Sequence, residues 1–169
     1  MRKLIGFLLL GAAGLLAGIR AARTVAKRGY ALEAIAQACV QIREAIAFAK
    51  MPLPQILRQL AESETAAQPF FAAVDMALQR GAMAETAWKQ ACSERAAELC
   101  LRSGEREQLR AVGTSLTSLN SEAAQQALTA AARQFERFAA EAAAERRNEE
   151  RLRLTLWISA ALMAGLLLL

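Results

Sequence analysis

The stretch that decides the fold is Leu154 to Leu169, LTLWISAALMAGLLLL, which is apolar almost throughout and carries no charge. A second apolar run, Leu4 to Ile19, lies near the other end, and each run contains 16 residues. A helix of this length spans roughly 24 Å at about 1.5 Å per residue, which is less than the roughly 30 Å hydrocarbon core of a bilayer. Flanking basic side chains can make up the difference by extending to the interface. The two runs therefore predict two membrane anchors.

The basic residues beside these runs predict the topology. The net charge is +5, and basic residues are concentrated on the inner side of both runs. Since Lys and Arg accumulate in cytoplasmic segments, we expect the middle of the chain to face the cytoplasm. Membrane-proximal basic residues can gain about 1 kcal/mol each near anionic headgroups. The candidates for contact with lipid headgroups or a partner are Arg20, Arg23, Lys27, Arg28, Arg146, Arg147, Arg151 and Arg153.

The first apolar run has a second interpretation. Arg2 and Lys3 would suit the n-region of a signal peptide, and the run is only slightly longer than a typical h-region. The basic residues that follow it oppose translocation, so we favour a retained anchor. The predicted organisation is an N-terminal transmembrane anchor at 1–22, a cytoplasmic helical bundle at 23–153 and a C-terminal transmembrane anchor at 154–169.

The middle segment is predicted to be entirely helical. Alanine, leucine, glutamate, glutamine and arginine dominate it, and these are good helix formers. No run alternates apolar and polar residues as a half-buried strand would. Apolar residues instead recur at spacings of three and four, which indicates amphipathic helices. We therefore predict an all-α fold, a six-helix bundle between an N-terminal and a C-terminal transmembrane helix.

Helix breakers and capping residues divide the bundle. The first helix continues from the anchor to Ala49, and Pro52 opens the second. The third is predicted to have a cap at Ser63 or Thr65 and to end at Arg80-Gly81.

The remaining three helices follow from similar signals. Trp88 marks the fourth, which is expected to reach Leu99, and Ser103 is the predicted cap of the fifth. Asn120 or Ser121 caps a sixth that runs on into the second anchor. The positions predicted to face the core are Leu32, Ile35, Cys39, Ile42, Ile46, Leu53, Ile56, Leu57, Leu60, Phe70, Phe71, Val74, Leu78, Trp88, Ala91, Cys92, Leu99, Leu109, Val112, Leu116, Leu119, Leu128, Phe135, Phe138 and Ala142.

The sequence contains no combination of residues typical of an active site. It has no histidine, which excludes Ser-His-Asp and Cys-His catalysis and histidine ligands for metals. The three cysteines form no CxxC pair and are predicted to be buried thiols. No phosphate-binding or dinucleotide-binding loop is present. We predict a protein that is not an enzyme, with no cofactor, no metal and no nucleic-acid partner.

Short motifs in a fixed order resemble one known family. Glu44-Ala45-Ile46-Ala47-Phe48 followed by Met51-Pro52-Leu53 is similar to its EI-x-(Y/F)…TPL segment. Further matches are Met1-Arg2-Lys3-Leu4-Ile5-Gly6, Pro69-Phe70-Phe71, Ala87-Trp88, Glu107-x-Leu109-x-x-Val112-Gly113-x-x-Leu116, Asn120, Gln125 and Asn148. In this order, between matched anchors, they resemble the stage III sporulation protein AB family along the whole chain.

The resemblance implies a role in endospore formation. Members of that family are subunits of the stage III A complex, a secretion-like assembly made in the mother cell around the engulfed forespore. They resemble the cytoplasmic domain of type II secretion F proteins. The expected location is the mother-cell membrane around the forespore, with two passes. The expected partners are membrane lipids, the AA member (a secretion-type ATPase) and other complex subunits, with homo-oligomerisation permitted by small residues in the anchors.

Two other functions are compatible with part of this pattern. An extracytoplasmic helical-bundle sensor would need the opposite topology and a signalling segment after the second anchor, and the sequence ends at Leu169 without one. The other is a small two-anchor membrane adaptor unrelated to sporulation, which the residues alone do not distinguish from the sporulation role.

Overall fold

A computed structural model shows six α-helices and no strand within the residues that it describes. The backbone is described for residues 2–49, 51–116 and 121–167, and the side chains for residues 23–49, 51–116 and 122–148. The helices are α1 (Arg2–Glu44), α2 (Leu53–Glu62), α3 (Gln68–Gln79), α4 (Ala84–Arg95), α5 (Ser103–Leu116) and α6 (Ser121–Leu167). The prediction of an all-helical fold is therefore confirmed.

The two longest helices, α1 and α6, pack against each other in antiparallel orientation. Arg28 of α1 contacts Glu145 of α6, and further along the pair Arg43 shares a depression with Gln125 and Arg133. This arrangement brings the amino-terminal part of α1 and the carboxyl-terminal part of α6 to the same end of the molecule. The shorter helices α2 to α5 pack in sequence, each on the next, and α5 returns to α6.

The predicted membrane anchors fall largely outside the described side chains. The backbone is helical in most of both segments, but nothing is described of the side chains before residue 23 or after residue 148. Within the part of the chain that the structure does describe, no helix combines the length and the apolar character needed to cross a bilayer. The two anchors therefore stay a prediction.

The core contains most of the positions that the apolar periodicity predicted. The largest side chains with almost no exposure are Phe70, Phe71, Phe135, Leu32, Ile35, Ile42, Leu57, Leu99, Leu109, Leu128 and Val74. Ile46, Leu53, Leu78, Leu116 and Phe138 are partly buried at its edge. Leu119 lies outside the described residues. The long helices thus have one buried stripe each, and α2 to α5 cover it.

Several helix ends follow the predicted signals. The last residues of the first helical segment, Ala45–Ala49, form a π-helical turn before Pro52. Helix α3 ends at Gln79 with Arg80 at the cap position, and Gly81 has a positive φ of 88°. The N–H of Gly81 donates to the Leu78 carbonyl and that of Ala82 to the Ala77 carbonyl, so the end is a Schellman motif.

Three predicted amino-terminal caps are wrong. The cap position of α3 is Ala67, without a side-chain hydrogen bond, while the Ser63 hydroxyl donates to the Leu60 carbonyl at the end of α2. Thr65 uses its backbone carbonyl, which accepts from the N–H of Gln68. Ser63 and Thr65 are therefore in the connection between helices, where their polar groups satisfy other backbone atoms.

The third wrong prediction is Ser103 as the cap of α5. Ser103 is the first residue of the helix, and the cap position belongs to Arg102. The N–H of Arg102 donates to the Glu105 carboxylate over 2.7 Å, and its carbonyl accepts from the N–H of Arg106. This is one half of a capping box, in which the residue three positions on returns to the cap. The predicted cap of α6 at Asn120 lies outside the described residues, and α6 begins at Ser121.

The fourth helix is shorter than predicted. It ends at Arg95, and Leu99 is buried in the turn that follows. Cys100, the next residue, has a positive φ of 58°. A residue in the left-handed region ends the helical path, so the chain can change direction before α5.

Candidate functional site

A buried charged cluster joins α1, α5 and α6. Arg28 of α1 is 4% exposed and Glu105 of α5 is 2% exposed. Nε and Nη2 of Arg28 donate to the Glu105 carboxylate, which is the bidentate geometry that a guanidinium favours. The Nη1 group of the same arginine donates to Glu145 of α6 over 2.8 Å. We call these side chains, with Arg102, the charged cluster.

Arg102 closes the charged cluster from the surface. Its Nη1 and Nη2 atoms each donate to one oxygen of Glu145 over 2.9 Å. Its backbone N–H donates to Glu105, so that the two carboxylates share the same two arginines. The charged cluster therefore fixes the start of α5 to both long helices through polar contacts in a largely apolar region.

The pKa values of the cluster follow from this pairing. Hydrogen bonds from Arg102 lower the pKa of Glu145 below its ordinary value; the nearby charge of Arg28 acts the same way, while desolvation acts in the opposite direction. The hydrogen bond with Glu105 raises the pKa of Arg28 against the opposing effect of burial. Both groups are therefore held in their charged forms.

The lowered pKa of Glu145 predicts a loss of stability in acid. A carboxylate with a lower pKa in the folded state contributes its full stabilisation above the unfolded value of about 4.3, and loses it as the pH falls through the folded value. We expect the urea midpoint of the wild type to decrease between pH 7 and pH 3 more than that of Glu145→Gln. Glu141→Gln, an exposed position on the same helix, is the control and should retain the wild-type dependence. If the urea midpoint of Glu145→Gln decreased between pH 7 and pH 3 as much as that of the wild type, the pairing of Glu145 would be contradicted.

The eight predicted basic site residues have different positions. Arg23, Lys27, Arg146 and Arg147 are exposed, and Nη1 of Arg146 lies 3.4 Å from the Tyr30 hydroxyl. The side chains of Arg20, Arg151 and Arg153 lie outside the described range. Arg28 is the exception, because its guanidinium is buried against two carboxylates. It therefore does not belong to an exposed basic surface, which corrects its place in that group.

A groove opens between the two long helices on the surface. Its volume is about 610 Å³. Its walls come mainly from small side chains such as Ala36 of α1 and Ala139 and Ala143 of α6, with Tyr30 at the rim. Two carboxylates, Glu33 and Glu136, line it from opposite helices. We call this the α1–α6 groove; no pattern in the sequence predicts it.

A large apolar side chain is exposed at the other end of α1. Phe48 is 85% exposed and lies in the π-helical turn, in the motif that carried the family resemblance. π-Helical turns within helices are often found at functional sites. Among the described residues, this aromatic ring is not part of the buried core.

Two of the three cysteines, Cys39 and Cys92, are buried thiols. Burial raises the pKa of Cys39 to about 12 and that of Cys92 to about 11. Thiols with such pKa values are protonated and unreactive near neutral pH. Cys100 is partly exposed, so the prediction of a buried thiol is confirmed for Cys39 and Cys92 and is wrong for Cys100. Among the described residues, no group of three potential ligands could hold a metal ion.

One family model matches almost the whole chain. The family model described as "Stage III sporulation protein AB" matches residues 3–169. A solved structure titled "Stage III sporulation protein AB (SpoIIIAB)" is similar in fold, with a TM-score of 0.65 and 22% sequence identity. The similarity covers 72% of this chain and 98% of that chain. A comparison with curated proteins gives no match.

Proposed function

Because the chain belongs to the stage III sporulation protein AB family, we propose that it is a membrane-held adaptor in a sporulation complex. In this proposal the protein is not an enzyme. It couples a cytoplasmic secretion-type ATPase, the AA member of the complex, to the membrane subunits. It lies in the mother-cell membrane around the forespore, with its helical bundle in the cytoplasm.

The observation that supports this proposal is the antiparallel pairing of α1 and α6. The two helices contain 43 and 47 residues, and their apolar ends point the same way. From Ile19 to Glu44, α1 extends about 38 Å at 1.5 Å per residue. The pair would therefore hold the exposed Phe48 well away from the bilayer, while the start of α5, which contacts Arg28, would lie nearer to it. Exposed Arg23, Lys27 and Arg147 would lie near the anionic headgroups.

The charged cluster suits a protein that transmits force or holds position. It connects α5 to both long helices through bidentate contacts, which have a defined geometry. A displacement of the short helices would thus move α1 and α6 together. An adaptor between an ATPase and membrane subunits needs this kind of rigid connection.

The proposal is tested by capture of the ATPase. The full-length protein, purified in detergent micelles, is immobilised and incubated with the AA member from the same organism. We expect the ATPase to be retained at micromolar concentration. Absence of retention in both nucleotide-free and nucleotide-bound states would overturn the coupling role, while membrane fractionation of sporulating cells tests the location separately.

Phe48 provides a sharper prediction within this function. Replacing Phe48 by serine should leave the free energy of unfolding within about 0.5 kcal/mol of the wild type, because the ring is 85% exposed. Exposed aromatic side chains are frequent energetic centres of interfaces, and truncating one weakens binding by about 2 kcal/mol or more. We therefore expect roughly thirtyfold weaker retention of the ATPase, since each 1.4 kcal/mol is about tenfold in affinity.

The matched control for Phe48 is Met83→Ser. Met83 is also largely exposed, at 79%, but it lies in the connection between α3 and α4. Met83→Ser should leave both the free energy of unfolding and the retention of the ATPase unchanged. Equal retention of the ATPase by Phe48→Ser and by the wild type would remove Phe48 from the interface.

A further inference from the structure

The α1–α6 groove has two acidic side chains at its centre. The groove extends along α1 from Val25 to Gln41, and Glu33 is midway between them. A Cβ atom on Gly29 would lie 3.7 Å from the Cβ of Ala142, which sets the register of the antiparallel helices. Four residues on from Gly29, Glu33 is therefore within roughly 3 Å, along the axis, of the level of Glu136 on the opposite wall.

Neither carboxylate has a partner within the described part of the chain. The ion pairs of the described residues involve other acidic residues, such as Glu105 and Glu145. Glu33 and Glu136 are both exposed. Two like charges that face one groove repel each other, and a cation between them would relieve that repulsion. The groove is thus lined largely by small apolar side chains, with these two carboxylates at its middle and Arg146 at one end.

The dimensions of the groove suit a helix. It is about 24 Å long at 1.5 Å per residue of α1, which corresponds to more than four helical turns. Its walls carry small side chains such as Ala36 and Ala143, which allow helix axes to approach to about 8 Å. Tyr30 is 56% exposed at the rim and can pack against an occupant.

We propose that the α1–α6 groove binds a cationic amphipathic helix of a partner protein. The occupant has small or apolar residues along one stripe and Arg or Lys at its centre, placed between Glu33 and Glu136. This proposal concerns a face different from Phe48 and does not depend on the ATPase. If the chain is anchored as proposed, a helix in this groove would lie alongside the two long helices and belong to a membrane subunit.

The same carboxylates argue against a second copy of the chain as the occupant. A two-fold dimer formed through this face would place the same surface on both sides of the interface. Since Glu33 and Glu136 are at the centre of the groove, four carboxylates would then meet near the axis. Juxtaposed like charges cost several kcal/mol at an interface.

A designed peptide tests the groove directly. The probe is a fluorescent alanine- and leucine-rich helical peptide of about 20 residues with two arginines at adjacent central turns. Its binding to the full-length protein in detergent micelles is measured by fluorescence anisotropy. We expect saturable binding that becomes at least about tenfold weaker in Glu33→Gln/Glu136→Gln, a loss of about 1.4 kcal/mol. Replacing both arginines of the peptide by glutamine should have the same effect on the wild type.

Two further variants separate charge from shape. Glu64→Gln/Glu141→Gln removes the same charge from exposed positions outside the groove and should bind like the wild type. Ala140→Trp places a large side chain in the groove at an exposed position and should abolish binding while the circular dichroism spectrum is unchanged. No saturable binding of the arginine peptide, or binding insensitive to the loss of both glutamates, would overturn the proposal. So would a self-association of the chain that Ala140→Trp abolishes, because it would identify a second copy as the occupant.

Discussion

Replacing Gly113 by alanine is expected to destabilise the protein by about 3 kcal/mol, because the added methyl group would enter the ring of Trp88. A Cβ atom at this position would lie 2.5 Å from Cγ and 2.8 Å from Nε1 of the indole, and closer still to Cδ1. Real Cβ atoms essentially never make such contacts. Either the indole or α5 must therefore move.

The indole has little freedom to move. Trp88 is 2% exposed, and its Nε1 donates to the Leu109 carbonyl over 2.7 Å. Its ring centroid lies 5.0 Å from that of Phe70 and 6.1 Å from that of Phe71, both in edge-to-face orientation. Displacing the indole would break the hydrogen bond and disturb both aromatic contacts, each worth about 1 kcal/mol.

The same helix offers a matched control. Gly104, in the first turn of α5, has no atom within 4 Å of the position that a Cβ would occupy. Gly104→Ala should be neutral or stabilising by up to about 1 kcal/mol, as expected from helix propensity. Urea unfolding followed by circular dichroism measures both variants. Equal stability of the two would show that the indole does not rest on Gly113.

Much of this core could be predicted from the sequence. Leu32, Ile35, Cys39 and Ile42 recur at helical spacing and are all buried, because a helix that covers a core needs one apolar stripe. Trp88 was predicted as a core residue for its size and apolar character. Its contact with Gly113, however, depends on how closely α4 and α5 approach each other. The spacing of residues within one helix does not predict that distance.

The charged cluster was missed, although its position had a signal. Arg28 precedes Leu32 by four residues and Glu105 precedes Leu109 by four, so each charge lies on the extension of a buried stripe. Arg28 also lies in the run of basic residues beside the first apolar segment, which favoured a role near the membrane. The pairing itself joins residues 77 positions apart, and only the packing of α1 and α5 on α6 brings them together.

The groove could not be predicted for a related reason. Its alanines occur throughout a sequence that is rich in alanine, and only the contact between α1 and α6 shows which of them remain at the surface. The carboxylates Glu33 and Glu136 are 103 positions apart in the sequence, and no spacing along the chain relates them. Their common level follows from the register at Gly29 and Ala142.

Replacing Arg28 by methionine is expected to destabilise the protein by about 4 kcal/mol, since it leaves a buried carboxylate without its counterion. Glu105 is 2% exposed and would keep only the N–H of Arg102 as a described donor. Glu145 would retain Arg102, so the loss falls mainly on Glu105. Lys27→Met, at the adjacent exposed position, should change the free energy of unfolding by no more than about 0.5 kcal/mol.

The double variant Arg28→Met/Glu105→Gln tests whether charge is the cause. Glutamine removes the buried charge but keeps a carbonyl oxygen that can accept from Arg102, so we expect the double variant to recover about 2 kcal/mol relative to Arg28→Met. Glu105→Gln alone should be less harmful than Arg28→Met, because Arg28 still donates to Glu145. Equal destabilisation of Arg28→Met and the double variant would mean that the arginine acts through the packing of its apolar stem. A higher stability of the double variant would instead show that the charge of Glu105 causes the loss in Arg28→Met. The protein would then tolerate the removal of both charges better than the removal of one.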